Sequence, residues 1–197
     1  MKQKNIIKNC LLLVFSMASG VSLAGTPSAS MLADTCAGCH GTNGISNGPA
    51  TPTIAGISND YFIEVMEQFK AAEIPSTIMS RIAKGYTEDE IKLMARHFSG
   101  MKFKRKPQQF DSKKAALGKK LHKKYCEKCH EDGGRKSDDD AGILAGQWAA
   151  YLQNTLQDYT SGDREMQKKM KKKVDSLQKD HGNDGLDALI NFYASQQ

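Results

Sequence analysis

The spacing of apolar residues in the first half of the chain is that of amphipathic helices. One such pattern predicts a helix that Asn59 or Asp60 caps and that ends at Phe69. Another helix is predicted to begin after Thr87, where three acidic residues form a typical N-terminal turn. The apolar face of that helix consists of Ile91, Met94, Ala95 and Phe98.

The second half of the chain has the same helical periodicity. Ser112 is a suitable N-terminal cap for the first helix of this half. The predicted helices are 113–126, 147–159, 166–177 and 186–194. No segment alternates between apolar and polar residues as a half-buried strand does, so the sequence predicts an all-α fold.

The first 24 residues have the three parts of a secretory signal peptide. Three lysines lie within the first eight residues, Cys10 to Ala18 form an apolar core, and Ser22-Leu23-Ala24 is a cleavage site flanked by small residues. The apolar run is too short to cross a bilayer core of about 30 Å, so no membrane span is expected. We therefore predict that residues 1–24 are a signal peptide, that the mature protein begins near Gly25, and that it is located in the periplasm.

Two Cys-x-x-Cys-His motifs divide the chain into similar halves. They begin at Cys36 and Cys126, and an Ala-Gly pair follows each first cysteine by 19 residues, at 55–56 and 145–146. A tyrosine follows each of these alanines by six residues. Equal spacing of this kind indicates an internal repeat. We predict two domains, 25–104 and 105–197, which meet within the basic, proline-containing segment 101–110.

The Cys-x-x-Cys-His motif is typical of covalent haem c attachment. Two thiols at this spacing can form thioethers to the two vinyl groups of one haem, and the adjacent histidine can ligate the iron. The motifs therefore predict two covalently bound haems c, held by Cys36, Cys39, Cys126 and Cys129, with His40 and His130 as proximal ligands. Structural zinc sites and disulfides are the alternatives, but zinc sites usually take their histidines from a separate element.

A sixth ligand to each iron is needed if the haems carry electrons without binding a substrate, and methionine is a common one. Met79 is the candidate in the first half, whereas Met66 and Met94 occupy helix faces typical of packing residues. In the second half Met166 and Met170 lie one helical turn apart, and their distances from His130 do not separate them. We prefer Met166, because it opens its predicted helix as Met79 does.

Charge argues against a nucleic-acid partner. The formal net charge of the chain is +6, and loss of Lys2, Lys4 and Lys8 with the signal peptide, together with no acidic residue, lowers it to +3. The propionates of two haems would bring the value to about −1. The five lysines between positions 168 and 173 are interpreted as a solvated helix face.

Several blocks of the mature chain resemble the cytochrome subunit of flavocytochrome c sulfide dehydrogenase, within the broader cytochrome c4-like family. The blocks are 36–42, 76–86, 124–130, 143–148, 185–189 and 192–197. The resemblance implies two tandem class I cytochrome c-like domains, each wrapped around one covalent haem, with Met79 as the first distal ligand. It also implies a separate flavoprotein subunit that carries FAD and oxidises sulfide.

We therefore expect the chain to be a dihaem electron-transfer subunit. It would pass electrons from the flavoprotein to a downstream acceptor such as a small cytochrome. No catalytic sulfide site is expected in this chain, because haem attachment uses every cysteine outside the signal peptide. A free dihaem carrier of the cytochrome c4 type is the alternative. A haem enzyme or sensor with an open iron is the alternative from another functional class.

Overall fold

The computed structural model describes residues 26–138 and 140–197, so the predicted signal peptide lies outside the described residues. Within them the regular structure is helical, apart from one isolated bridge between Asp138 and Ala141. The helices are α1 Ala29–Asp34, α2 Ala37–His40, α3 Asn59–Ala71, α4 Met79–Ala83, α5 Glu88–Ser99, α6 Ser112–Leu121, α7 Glu131–Gly134, α8 Ala149–Ser161 and α9 Lys168–Ala194.

The helix starts show how far local sequence signals predict the caps. Thr87 caps α5 as expected, and Glu90 completes a capping box. Ser58, rather than Asn59 or Asp60, caps α3 by accepting a hydrogen bond from the Tyr61 amide. Asp111 caps α6 in place of Ser112, because its carboxylate reaches two amides of the first turn.

Two long helices differ in continuity from the prediction. The helix expected to run to Cys126 changes at His122 into a π-helical segment, His122–Cys126, which leads into the second Cys-x-x-Cys-His motif. The two helices predicted at 166–177 and 186–194 belong to one element, α9, which begins at Lys168. Gly182, with φ 59° and ψ −157°, interrupts its regular geometry.

Each half has its own apolar core. In the first half α3 and α5 pack through Phe62 and Phe98, whose ring centroids are 5.6 Å apart. In the second half α6 and α9 cross closely at Gly118, where a Cβ atom would meet the Ala188 carbonyl. The core of this half contains Leu121, Leu152, Leu177, Leu189, Phe192 and Tyr193.

The repeat seen in the sequence recurs in the backbone hydrogen bonds. The Gly44 carbonyl accepts from the amides of Ile54 and Ala55, and the Gly134 carbonyl accepts from those of Leu144 and Ala145. The glycine after each alanine donates to the helix that closes its half, Gly56 to Phe98 and Gly146 to Tyr193, both at 2.8 Å. The two halves therefore fold in the same way, while the boundary at residue 104 stays a prediction.

The halves contact one another directly. The ring of Trp148 packs against Gly48, where an added Cβ would lie 2.5 Å from a ring atom. Ser58 donates from its amide to Ser137 Oγ and from its hydroxyl to the Asp138 carbonyl, both at 2.9 Å. These contacts form an interface between the two halves. A cavity lined by residues of both halves opens beside it.

None of the helices described is both long and apolar enough to cross a membrane.

Candidate haem sites

One cavity of about 1190 Å³ extends across both halves. Pockets for a single small ligand typically measure about 300–1,000 Å³, so this volume exceeds the usual one-ligand site. Its lining includes all the cysteines and histidines of the two motifs, together with one methionine at the start of a helix in each half. These residues are Cys36, Cys39, His40, Met79, Cys126, Cys129, His130 and Met170.

His40 is held in the form that an iron ligand needs. It is 8% exposed, and its Nδ1 lies 2.8 Å from the carbonyl oxygen of Pro52. A carbonyl only accepts, so Nδ1 donates and the lone pair is on Nε2. Burial lowers the pKa of the His40 imidazole, which favours the neutral ring. The hydrogen bond also fixes the plane of the ring.

His130 has a different environment. Its Nδ1 is buried and has no hydrogen-bond partner within the described residues. Burial lowers the pKa of the His130 imidazole, and the nearby charge of His122 lowers it further. An unpartnered polar atom in a buried position is uncommon, and here it belongs to a cavity-lining side chain at which the motif predicts a ligand.

The four cysteines of the motifs are free thiols. Cys36 and Cys126 are half-buried, whereas Cys39 and Cys129 are exposed. Burial raises the pKa of the Cys126 thiol to about 11 and raises that of Cys36 as well. No group of three His, Cys, Asp or Glu side chains suited to a metal ion occurs in the described parts of the chain.

The structure separates the two candidate methionines of the second half. Met170 lies in the first turn of α9 and lines the cavity, whereas Met166 precedes the helix and is not part of that lining. The preference for Met166 assumed that its helix starts there, but α9 starts two residues later.

Met66 and Met94 belong to the apolar core, as predicted, and Met66 also lines the cavity from the middle of α3. They are 6% and 0% exposed and pack with Phe62, Ile91 and Phe98.

The remaining lining fits a covalent haem c in each half. Apolar side chains such as Ile57, Phe62 and Leu152 supply walls for a porphyrin, and the thiols, imidazoles and thioether sulfurs supply its attachment and ligands. The tautomer set at His40 agrees with ligation through Nε2. The residues present therefore fit the group that the motifs predict.

No protein-family model matches the chain. The chain is 44% identical over 71 residues to the "cytochrome subunit of sulfide dehydrogenase" of Chlorobaculum tepidum, an alignment that covers 36% of this chain and 64% of the relative. It is 27% identical over 142 residues to the "thiosulfate dehydrogenase electron acceptor" of Thiomonas intermedia, covering 67% of this chain and 65% of the relative. The chain thus spans just under two thirds of the length of these curated relatives.

Among solved structures, the reduced recombinant cytochrome c4 from Pseudomonas stutzeri superposes with a TM-score of 0.72 at 22% identity. The match covers 87% of this chain and 100% of the cytochrome c4 chain. The expected all-α fold of two tandem class I cytochrome domains is confirmed by this match and by the helical elements described above. The chain therefore has the fold of a dihaem cytochrome c4, and its sequence is similar to those of cytochromes that serve sulfide and thiosulfate dehydrogenases.

Proposed function

We propose that the chain is the dihaem electron-transfer subunit of a periplasmic flavocytochrome c sulfide dehydrogenase. The observation that carries the proposal is the shared cavity, because its walls bring both Cys-x-x-Cys-His motifs and a methionine from each half to one connected space. A histidine and a methionine at each haem would be the ligand pair of electron-transferring cytochromes c.

The residues of each half have defined roles in this proposal. Cys36 and Cys39 hold the first haem, and Cys126 and Cys129 hold the second. His40 and His130 are the proximal ligands, and Met79 is the first distal ligand. We assign the second distal position to Met170 rather than to Met166, because Met170 lines the cavity.

Bound haem supplies iron that accepts and releases one electron at a time. The chain keeps the ligating imidazoles neutral through burial, and the Pro52 carbonyl fixes the ring of His40. A methionine thioether as the second protein ligand would close the site to small molecules and favour the reduced iron. Apolar side chains such as Ile57, Phe62 and Leu152 would pack against the porphyrin.

The likeness to the Chlorobaculum tepidum cytochrome supports sulfide as the electron source. Sulfide would be oxidised on a separate flavoprotein subunit that carries FAD, because no cysteine outside the predicted signal peptide remains for sulfur chemistry once the haems are attached. Electrons would leave to a downstream acceptor such as a small cytochrome. The signal peptide pattern of residues 1–24 supports export, and haem c is attached outside the cytoplasm.

Purification from the native periplasm in mild salt tests this assignment. We expect flavin absorption to co-elute with the haem bands, and addition of sulfide to reduce first the flavin and then both haems. A haem protein that elutes alone and is not reduced by sulfide in the presence of its periplasmic extract would contradict it.

The fold match favours a second candidate, a free dihaem carrier of the cytochrome c4 type. This candidate predicts a stable single chain with two haems and no flavin. The purified protein also tests thiosulfate as the electron source. The likeness to the Thiomonas intermedia electron acceptor predicts that thiosulfate and its dehydrogenase, and not sulfide, reduce the haems.

Carbon monoxide tests whether each haem iron has a protein ligand at its sixth position. Both reduced haems should leave their spectra unchanged when the gas is added, because Met79 and Met170 occupy the sixth positions. Binding at either haem of the native protein would contradict the carrier role and favour a haem enzyme or sensor.

A further inference from the structure

Arg164 is a buried cation on the wall of the shared cavity. It follows α8 in the chain, it is 9% exposed, and it lines the cavity. No carboxylate in the described residues forms an ion pair with it, although Glu64, Asp158 and Glu165 line the same cavity. Arginine is rarely buried to this extent unless it is paired.

Tyrosines from both halves surround the guanidinium. Its carbon lies 4.6 Å from the ring centroid of Tyr159, and the hydroxyl of Tyr61 lies close to it. Tyr61 belongs to the first half, yet its ring packs against Gly142 of the second half. Tyr151 lies nearby and also lines the cavity. The cluster is therefore at the junction of the halves and faces the space between the two motifs.

The cluster supplies no ion-paired anion for the charge of Arg164 within the described residues. Burial raises the pKa of the Tyr61 hydroxyl well above its usual range, so Tyr61 stays neutral and cannot balance the charge of Arg164. Contact with the Tyr159 ring attracts a cation but does not neutralise it. Desolvation of an isolated guanidinium is unfavourable, and a bidentate carboxylate can offset that cost.

We propose that Arg164 and the Tyr61 hydroxyl together bind the propionate carboxylate of a haem at the junction between the halves. This inference rests on the proposed haem-binding function and adds a site to it. Arg164 supplies a planar pair of N–H donors that matches a carboxylate, and Tyr61 supplies a neutral O–H donor from the other half. Residues of both halves would then bind one propionate, and that propionate would link the haem to the interface between the halves.

The test uses the haem-loaded protein and three variants. In Arg164→Gln the positive charge beside the haem is lost, which favours the ferric iron, so the midpoint potential of one haem falls in a spectroelectrochemical titration. The propionate also loses its cation, so the pH at which this potential begins to vary shifts upward. Arg164→Lys keeps the charge and restores most of the potential, and Tyr61→Phe gives a smaller fall. Arg135→Gln, an exposed arginine, is the matched control and leaves both potentials unchanged.

Each outcome separates this inference from the proposed function. A wild-type protein without two covalent haems would overturn the proposed function itself. Full haem content with unchanged potentials and unchanged pH dependence in both Arg164→Gln and Tyr61→Phe would overturn only the propionate site. A free anion, in place of a haem propionate, is the other ligand that could bind Arg164 and Tyr61. If thiosulfate or sulfate produced a saturable change in the wild-type haem spectrum that Arg164→Gln abolished, the site would bind that anion and the propionate assignment would be wrong.

Discussion

Gln147 and Thr53 lie 94 positions apart and exchange two hydrogen bonds across the junction of the halves. The Thr53 amide donates to Gln147 Oε1 and Gln147 Nε2 donates to the Thr53 carbonyl, both at 2.9 Å. Each residue is 3% exposed. Thr53 follows Pro52, whose carbonyl accepts the hydrogen bond from His40. The Gln147 side chain of the second half therefore holds the backbone segment that orients His40, the predicted proximal histidine of the first half.

Replacement of Gln147 by leucine tests this connection. The variant leaves the amide and the carbonyl of Thr53 buried without partners, and one such group costs about 1–3 kcal/mol. We expect a loss of unfolding free energy of at least this size, measured by denaturant titration of the haem-loaded protein and followed by circular dichroism. Gln153→Leu, on the exposed face of α8, is the control and should change stability by less than about 0.5 kcal/mol. Equal stabilities of the two variants would show that the contact contributes nothing.

The second distal ligand is decided by a pair of methionine variants. Met170→Leu should remove the part of the methionine-to-iron absorption band that belongs to the second haem, since a leucine side chain has no sulfur to coordinate iron. Met166→Leu should leave the band intact, because Met166 is not on the cavity wall. The spectrum of the oxidised protein measures both. Loss of the band in Met166→Leu alone would restore the ligand preferred from the sequence.

Local patterns were sufficient for the elements that depend on neighbouring residues. The Thr87 capping box joins groups three positions apart, and the helical periodicity behind the all-α fold is equally local. The caps at Ser58 and Asp111 were missed by one position, because each is followed by another polar residue that could also cap a helix. Such choices depend on backbone geometry that the residue types alone leave open.

Contacts between distant residues could not be predicted in the same way. The ring of Trp148 lies on Gly48, and the partner of Gln147 is Thr53, so the relevant pairs are set by how the two halves meet. Arg164 carried no signal in the sequence either, because only burial distinguishes it from a solvated arginine. Met170 carried no deciding signal either, because the distances of Met166 and Met170 from His130 do not separate them.

The close crossing of α6 and α9 depends on the missing side chain of Gly118. A Cβ at this position would meet the Ala188 carbonyl and the Phe192 Cβ, and backbone cannot move aside as a flexible side chain can. Gly118→Ala should lower the unfolding free energy by about 1–3 kcal/mol despite the better helix propensity of alanine. Thermal unfolding measures this loss.

Gly38→Ala is the matched control for this substitution. A Cβ at Gly38 has nothing within 4 Å, and the equivalent position of the second motif is Lys128. This variant should keep the wild-type melting temperature. A Gly118→Ala protein as stable as Gly38→Ala would mean that the two helices separate at little cost.

His122 links the stability of the second half to pH. It is 2% exposed, its Nδ1 lies 2.9 Å from the Tyr193 hydroxyl, and its Nε2 lies 2.6 Å from Glu127 Oε2. A neutral ring satisfies both contacts when Tyr193 donates to Nδ1 and Nε2–H donates to the carboxylate. Burial lowers the pKa of His122 below its ordinary 6.5, although the carboxylate of Glu127 opposes the shift.

The direction of the pH effect follows from proton binding. The unfolded chain takes up the proton at about pH 6.5, whereas the folded protein takes it up only at lower pH, so protonation favours the unfolded chain. The contribution is fully present above pH 6.5 and is lost as the pH falls below it towards the folded pKa. In His122→Gln, stability should fall less steeply than in the wild type between about pH 7 and pH 5. Denaturant titrations across this range measure the difference, with His181→Gln, an exposed histidine, as control. Parallel pH profiles for the wild type and His122→Gln would place the acid sensitivity at other groups, because only the His122 contribution differs between these two proteins.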